Sequence, residues 1–250
     1  MQNNFFCKSP YINLYDKPYL NSKISSQILY GEKFKILFKK KNIFKIKCSY
    51  DNYKGYIKST DYIKKFKPTH KISVLKSRIF KLPNNQTIKS FTQFLSFSSE
   101  IRILKKKNNF VMFEKNKWLK NKDICQIKKK EKNFSKILNL FKNCKYKWGG
   151  KTFKGIDCSS LIQLFYKFNN KFFPRDTIDQ IKFKNGIKNK KKYNRGDIIY
   201  WKGHVAVCVN SKKLIHAYGP KKKVVVMPIK ETIKIIEKTA NLKVQKICRI

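Results

Sequence analysis

Alternation of apolar and polar residues with period two dominates residues 8–127, and this feature restricts the fold more than any other. Successive side chains of a strand point to opposite faces of a sheet, so the pattern predicts short β-strands separated by turns. Two blocks share one layout, from a turn with proline through a strand pair to an aromatic strand ending in "GYI" or "KWL". We therefore predict two small β-barrels, at residues 8–66 and 69–127, joined at "KFKPTHK".

The pattern changes at about residue 128. Apolar residues take helical spacing over "NFSKILNLFKNC", where Ser135 is the candidate N-cap. A glycine-rich turn follows, then a second apolar helical run behind Cys158, and then strand-rich segments that carry two histidines. This order predicts an α+β domain over residues 128–250.

The charge of the chain favours anionic partners in general but no particular one. Sixty Lys and Arg residues against 14 Asp and Glu residues give a net charge of +46, which attracts polyanions through counterion release. Only five basic residues are arginine, the side chain that recognises phosphate and guanine in a bidentate way. The lysines spread along the whole chain, together with abundant Asn, Ile, Phe and Tyr, as AT-rich coding would produce. We expect a solvated lysine surface and no specific nucleic-acid partner.

Cysteine and histidine usage argues against a metal site. The seven cysteines are widely spaced without a C-x-x-C pair, and the chain has three histidines, so we expect neither a structural metal nor another cofactor. The amino terminus shows no basic region followed by a long apolar one, and no stretch approaches the ~18 apolar residues of a membrane span. We therefore expect a cytoplasmic protein with free thiols.

Cys158 stands at the predicted start of a helix, in "KGIDCSSLIQLFYKF". Unpaired backbone N–H groups and the helix dipole favour negative charge there, and the thiolate is the reactive form of cysteine. This position fits a nucleophile, but most cysteines at helix starts are structural, so by itself it favours a small apolar residue at the start of a core helix.

His204 and His216 follow on two predicted strands separated by a short loop. If the loop has three residues, 210–212, residue 209 pairs with 213 and residues of equal parity share a face. The two histidines would then be neighbours, giving a thiol, a base and a group that orients the base. A loop of even length would separate them and leave two core histidines.

Four segments together are recognisable. "YKWGGKTFKGIDCSSLIQLFY", "PRDTIDQ", "RGDIIYWKGHVAV" and "LIHAYG" resemble, in order, the motifs of the NlpC/P60 cysteine peptidases. The amino-terminal blocks are similar to the tandem bacterial SH3-like modules that precede this domain in cell-wall peptide hydrolases. The resemblance implies a papain-like peptidase domain behind two SH3-like barrels. Ser160, Thr177 and Ala206 depart from the commoner residues of the motifs, and none of these changes removes a catalytic atom.

The resemblance also implies residue roles. Cys158 becomes the nucleophile, His204 the general base and acid, and His216 the residue that orients His204. The implied substrate is a murein peptide cut between γ-D-glutamate and an L-diamino acid. Tyr53, in "DNYKGY", matches a tyrosine that closes the site in relatives.

Further polar residues are candidates to bind the substrate, and two of them, Asp157 and Glu32, match positions that bind it in relatives. Asp157 and Glu32 are expected to bind the free amino terminus of the peptide, and Ser159, Arg175 and Thr177 the free α-carboxylate of γ-D-glutamate. Asp176 is expected to contact the diamino acid or its neighbours. A free amine suits imported wall fragments, so the expected role is cell-wall peptide recycling.

Two rival interpretations stay open. The first is a catalytically inert basic module that binds nucleic acid or an anionic wall polymer, supported by the charge of +46. The second is an acyl-transfer enzyme that uses the same thiol chemistry on lipids or amines.

Overall fold

The computed structural model describes residues 4–84 and 93–250, which group into two compact units. The first unit holds the described residues up to Lys130 together with Lys151–Phe153, and the second holds Glu131–Gly150 and Lys154–Ile250. The change of sequence pattern near residue 128 therefore falls next to the boundary between the units. The return of Lys151–Phe153 to the first unit has no counterpart in the sequence prediction.

Residues 4–63 form one antiparallel sheet. Its strands are β1 (Asn4–Cys7), β2 (Tyr11–Tyr15), β3 (Ile24–Leu29), β4 (Lys33–Lys40), β5 (Ile43–Cys48), β6 (Lys54–Lys58) and β7 (Tyr62–Ile63), in the spatial order β3-β2-β6-β5-β4-β1-β7. Apolar residues of alternate positions, among them Leu14, Phe34 and Ile46, point to one side and form a buried cluster. The period-two pattern of this block is therefore explained by one buried sheet face.

Residues 70–126 form three smaller antiparallel sheets. The strands are β8 (His70–Ile72), β9 (Lys76–Arg78), β10 (Phe94–Ser96), β11 (Glu100–Ile101), β12 (Lys105–Lys107), β13 (Phe110–Glu114), β14 (Lys117–Lys120) and β15 (Ile124–Gln126), paired as β10-β9, β11-β8-β15 and β12-β13-β14, with a 3-10 turn at Asn121–Asp123. They enclose a second cluster that includes Ile72, Leu95 and Leu119. Residues 85–92 of the second predicted barrel lie outside the described residues. The pairings of the described strands do not close either block into a barrel, so the two barrels remain a prediction.

The second unit combines helices with a five-stranded antiparallel sheet. The helices are α1 (Phe134–Leu140), α2 (Cys158–Phe168), α3 (Thr177–Phe183) and α4 (Ile229–Ala240). Two short strands precede α2 in the chain: β16 (Lys151–Thr152), which belongs to the first unit, and β17 (Gly155–Ile156), which belongs to the second. The sheet has the order β21-β20-β19-β18-β22, built from β18 (Asp197–Trp201), β19 (His204–Cys208), β20 (Lys213–Tyr218), β21 (Lys223–Pro228) and β22 (Lys246–Arg249). Helix α2 packs on β19 and β20, as the predicted α+β arrangement requires. In the part of the chain that the structure describes, no helix is long and apolar enough to cross a bilayer.

The predicted cap of α1 is wrong by two residues. The N-cap is Asn133, and Ser135 lies inside the first turn. The helix starts earlier because Phe134 is buried and already has a helical backbone. Arg195 donates to both side-chain oxygens, at 2.6 Å to Asn133 Oδ1 and 3.2 Å to Ser135 Oγ, so these groups serve a side-chain contact instead of a helix cap.

Candidate active site

Cys158 is the first residue of α2, as predicted, and its side chain is buried. The helix begins there because Asp157 is its N-cap: Asp157 Oδ1 accepts a hydrogen bond from the Ser160 N–H at 2.8 Å. Behind the cysteine, Leu161 and Ile162 are buried on the apolar side of the helix. The nucleophile candidate therefore lies at a capped helix start that is held against the sheet.

Asp157, Ser159 and Arg175 form one buried network. Arg175 binds Asp157 with both ends of its guanidinium, at 2.6 Å to Oδ2 and 3.2 Å to Oδ1, and also donates to Ser159 Oγ at 2.8 Å. The Gly149 N–H donates to Asp157 Oδ2 at 3.0 Å. The structure thus brings together three residues predicted to bind substrate. It shows them engaged with one another, where they fix the start of α2, and their substrate contacts remain predictions.

The hairpin of β19 and β20 has the register that a three-residue loop gives. Val207 pairs with Ile215 and Cys208 with Leu214, and the Val209 N–H donates to Lys213 O at 2.9 Å. The loop is therefore 210–212. Asn210 shapes it, because its Oδ1 accepts hydrogen bonds from the N–H groups of residues 212 and 213 at 2.8 and 2.7 Å.

This register places the two histidines on one face. His204 Nε2 and His216 Nδ1 are 2.9 Å apart, within hydrogen-bond distance. Tyr218 stacks on His216, with ring centroids 4.6 Å apart and planes 11° apart, and Trp201 flanks His204 at 5.6 Å. Because Nε2 of His204 is used by His216, Nδ1 is the ring nitrogen that remains to meet a thiol.

The thiol and the imidazoles are held in an apolar setting that disfavours charge. Burial, followed by the charge of Asp157, raises the pKa of Cys158 to about 12, although hydrogen bonds from the backbone at Val205 and Ser159 act in the opposite direction. Burial lowers the pKa of His204 to about 4. Burial and the neighbouring His204 lower the pKa of His216 to about 3. The resting site is therefore a neutral thiol beside neutral imidazoles.

The packing of α2 relates the thiol to the base. Cys158 begins α2, this helix packs on β19, and His204 is the first residue of β19. The helix start and the hairpin were predicted from separate sequence patterns. In the second unit the helix packs directly on the two strands of the hairpin.

Tyr146 is a neighbour of Cys158 to which the sequence prediction gave no role. Burial raises the pKa of its hydroxyl most, and the charges of Cys158 and Asp157 raise it further, so the phenol lies within electrostatic range of the thiol. The sequence did contain a pointer to this residue, because Tyr146 is the first residue of the "YKWGG" motif quoted above.

The segment around α3 contributes a second residue without a predicted role. Gln180 is buried, and its Nε2 donates to Ser159 O at 3.0 Å and to Pro174 O at 2.9 Å. It thereby ties α3 to the first turn of α2. The sequence pointed to Gln180 as well, because it is the last residue of the motif "PRDTIDQ".

Asp176 and Thr177 stand at the amino-terminal end of α3. Thr177 is the first residue of the helix, and Asp176 is the N-cap residue, without a side-chain capping bond. Asp176 is partly exposed and lies 3.9 Å from the Arg175 guanidinium. The ion pair between Arg175 and Asp176 is therefore loose, while that between Arg175 and Asp157 is tight.

Glu32 and Tyr53 belong to the first unit. Glu32 is only 5% exposed. Its Oε2 accepts from the Leu29 N–H at 2.9 Å, and its Oε1 lies 3.4 Å from the ammonium of Lys151, itself 3% exposed. Tyr53 packs on the cluster that contains Leu14. The structure therefore gives Glu32 an internal cation as its partner, and the predicted roles of Glu32 and Tyr53 toward substrate stay predictions.

Two parts of the chain match known protein families. Residues 143–240 match the model of the NlpC/P60 family, and residues 14–61 match that of the bacterial dipeptidyl-peptidase SH3 domain. Dipeptidyl-peptidase 6 of Lysinibacillus sphaericus is 33% identical over 76 residues, which are 29% of this chain and 27% of that protein. A probable endopeptidase NlpC homolog of Haemophilus influenzae is 30% identical over 92 residues, which are 35% of this chain and 49% of that protein. The aligned regions thus span less than half the length of these curated relatives.

Solved structures show a similar fold over the described length. An NlpC/P60 family protein from Bacillus cereus ATCC 10987 superposes with a TM-score of 0.80 at 18% identity, over 98% of this chain and 99% of that one. An NlpC/P60 endopeptidase from Photobacterium damselae subsp. piscicida superposes with a TM-score of 0.63 at 12% identity, over 98% and 70%. The chain therefore carries a region similar to the NlpC/P60 family at residues 143–240 and a region similar to a bacterial SH3 domain at residues 14–61.

Proposed function

We propose that this protein is a cysteine peptidase that hydrolyses the γ-D-glutamyl-L-diamino acid bond of murein peptides. One observation carries the proposal. Cys158 begins the capped helix α2, which packs on β19 and β20, and on these strands His204 Nε2 lies 2.9 Å from His216 Nδ1. This arrangement has the three parts that thiol-based acyl transfer needs: nucleophile, base and a group that orients the base.

The proton path follows from the two ring nitrogens of His204. Nδ1 accepts the proton of the Cys158 thiol as sulfur attacks the amide carbonyl, and Nε2–H stays bonded to His216 Nδ1. The protonated Nδ1 then donates to the leaving amine of the diamino acid, and a thioester to the γ-carbonyl remains. Water, deprotonated by His204, cleaves the thioester and restores the thiol. The lowered pKa of His204 suits this cycle, because the imidazole begins each turnover neutral.

Two groups are proposed as hydrogen-bond donors to the oxyanion. The Cys158 backbone N–H lies at the start of α2, where the first N–H groups of a helix have no intrahelical partner. The Tyr146 hydroxyl, within electrostatic range of Cys158, is the side-chain donor that we add to it. Its raised pKa keeps the phenol protonated, as a donor must be.

The substrate-binding proposal follows the same residues. Thr177 and the partly exposed Asp176 at the start of α3 are proposed to meet the α-carboxylate of γ-D-glutamate and the diamino acid. The hydrogen-bonded network of Ser159, Arg175 and Asp157 is proposed to form a rigid polar surface next to the nucleophile, against which the substrate binds. The proposed setting is the cytoplasmic recycling of free murein peptides. Cell fractionation, together with the accumulation of such peptides in a deletion strain, tests that setting.

A direct assay separates this function from an inert basic binding module. Wild type, incubated with L-Ala-γ-D-Glu-diaminopimelate, should release diaminopimelate, and Cys158→Ala should lower kcat by at least about a thousandfold. Cys125→Ala, which removes another buried free cysteine, should retain wild-type kcat. If wild type and Cys158→Ala released diaminopimelate equally slowly, the peptidase proposal would be wrong. A competing amine in the assay would reveal the acyl-transfer alternative as a new amide product.

A further inference from the structure

Met227 is the partner of the second ring nitrogen of His216. His216 is 0% exposed, and its Nε2 lies 3.4 Å from the thioether sulfur of Met227. The contact follows from the register of β20 and β21. His216 pairs with Val225 and Leu214 pairs with Met227, so Met227 occupies the diagonal position on the face that carries His216. Both ring nitrogens of His216 are therefore engaged, one by His204 and one by sulfur.

The two histidines have coupled tautomers. A neutral imidazole carries one N–H, and the 2.9 Å contact between His204 Nε2 and His216 Nδ1 requires a hydrogen on one of these two atoms. If the hydrogen is on His204 Nε2, then His204 Nδ1 is a bare acceptor and His216 carries its own hydrogen on Nε2. If the hydrogen is on His216 Nδ1, then His204 carries its hydrogen on Nδ1 and has no lone pair there for the thiol proton.

Met227 distinguishes between these two states. A thioether sulfur accepts hydrogen bonds weakly and donates none. The contact of the sulfur with His216 is favourable when Nε2 carries a hydrogen. It is unfavourable when Nε2 is bare, because two acceptors would then face each other. Met227 packs against the apolar cluster that contains Ala206, Cys208 and Leu214. In apolar surroundings water does not compete for the hydrogen bond, so even a weak preference affects the tautomer.

We propose that Met227 is a positioning residue that selects the tautomer of His216 and, through it, the basic form of His204. The effect of Met227 on catalysis rests on the proposed peptidase function. The selection of the tautomer itself is a property of the folded protein without substrate. Sulfur holds the hydrogen of His216 on Nε2, His216 Nδ1 accepts from His204 Nε2–H, and His204 Nδ1 is left free for the proton of Cys158.

The tautomers can be read from ring ¹⁵N chemical shifts of ¹⁵N-histidine-labelled protein, in long-range ¹H–¹⁵N correlation spectra at neutral pH. Wild type should show His216 with its hydrogen on Nε2. Met227→Leu keeps an apolar side chain of similar volume but removes the acceptor, so part of the population should move to the Nδ1–H tautomer. Met227→Gln offers an amide oxygen as acceptor and should restore the Nε2–H tautomer. Val225→Ala is the matched control, because it trims the residue opposite His216 without changing an acceptor.

Activity gives the second readout. Loss of one weak hydrogen bond predicts a decrease in kcat of about three- to tenfold for Met227→Leu, with KM unchanged, and partial recovery in Met227→Gln. An unchanged tautomer in Met227→Leu would overturn the proposal. An Nδ1–H tautomer of His216 in wild type would overturn it too, even if no variant folded. A wild type that has the Nε2–H tautomer but does not cleave murein peptides would contradict the proposed function alone.

Discussion

His204 Nε2 and His216 Nδ1 lie 2.9 Å apart on neighbouring strands, and His216 has no solvent exposure. The contact depends on the three-residue loop 210–212, because one residue more or fewer would send one ring to the other face of the sheet. A surface loop thus determines whether a base and its orienting group can meet.

His216→Ala should therefore lower kcat without removing the base. We expect a decrease of about ten- to a thousandfold, since the imidazole of His204 loses the group that fixes its orientation and tautomer. His216→Asn, whose amide oxygen can accept from His204 Nε2–H, should lose less than His216→Ala. Diaminopimelate release measures both.

The third histidine of the chain is the control for this prediction. His70 bonds the Thr69 hydroxyl at 3.0 Å in the first unit, and His70→Ala should leave kcat within about twofold of wild type. Equal losses in His70→Ala and His216→Ala would mean that the histidine pair has no catalytic role. Far-UV circular dichroism must show that His216→Ala is folded, because the change also empties a buried position.

The acid limb of the pH–rate profile should lie well below the usual value for histidine. His204 must be neutral to accept the thiol proton, and burial lowers its pKa from 6.5 to about 4. Activity should therefore persist as the pH falls below 6.5 and should be lost as the pH falls through about 4. The raised pKa of Cys158, about 12, predicts no increase in rate between pH 8 and 10, where an exposed thiol would ionise. Profiles of kcat/KM test both limbs, and an acid limb at 6.5 or higher would contradict the buried, neutral base.

The same pKa shifts predict how stability depends on pH. Below pH 6.5 the histidines of the unfolded chain take up protons, while His204 and His216 in the folded chain stay neutral down to about 4 and 3. The free energy of unfolding should therefore fall as the pH drops below 6.5, by about 1.4 kcal/mol per pH unit for each histidine. Urea titrations at several pH values measure this slope. His216→Asn removes one of the two histidines and should therefore reduce the slope by about 1.4 kcal/mol per pH unit.

Breaking the ion pair between Arg175 and Asp157 should lower the free energy of unfolding. Both side chains are buried, and Arg175→Ala leaves a carboxylate without its partner, at a cost of about 3–5 kcal/mol. Arg175→Lys should also destabilise, because lysine cannot make the two-point contact. Urea unfolding provides the measurement.

The matched control for the Arg175 variants is an exposed ion pair. Lys8 and Asp61 lie 3.7 Å apart on the surface, and Asp61→Asn should change stability by less than about 1 kcal/mol. If Arg175→Ala cost no more than Asp61→Asn, the network would not be what holds the start of α2.

Local patterns in the sequence predicted much of the site. Helical spacing behind Cys158 was sufficient for the helix start, because it depends on short-range geometry. The sequence left the hairpin loop length open, and the structure has the three-residue loop 210–212 that pairs the histidines. The contacts of Asp157 with Arg175, and of Gln180 with Ser159 O, join segments that are distant in the chain. No periodicity encodes such tertiary hydrogen bonds. The N-cap of α1 was misplaced because burial of Phe134 outweighed the capping preference of Ser135.

If Glu32 is the group that binds the free substrate amine, the preference for that amine should be modest, because Glu32 already has a cation. The ammonium of Lys151 lies 3.4 Å from Glu32 Oε1, and both residues are almost fully buried. A carboxylate paired with lysine attracts a second ammonium less, so we expect wild type to prefer L-Ala-γ-D-Glu-diaminopimelate over its N-acetyl form by only about two- to tenfold in kcat/KM. Lys151→Met leaves Glu32 without this cation and should increase the preference, whereas Lys154→Met removes a neighbouring exposed lysine and should not. If Lys151→Met left the preference unchanged, Glu32 would not be the group that binds the amine. If acetylation abolished cleavage by wild type, the Glu32–Lys151 pair would have to open when substrate binds.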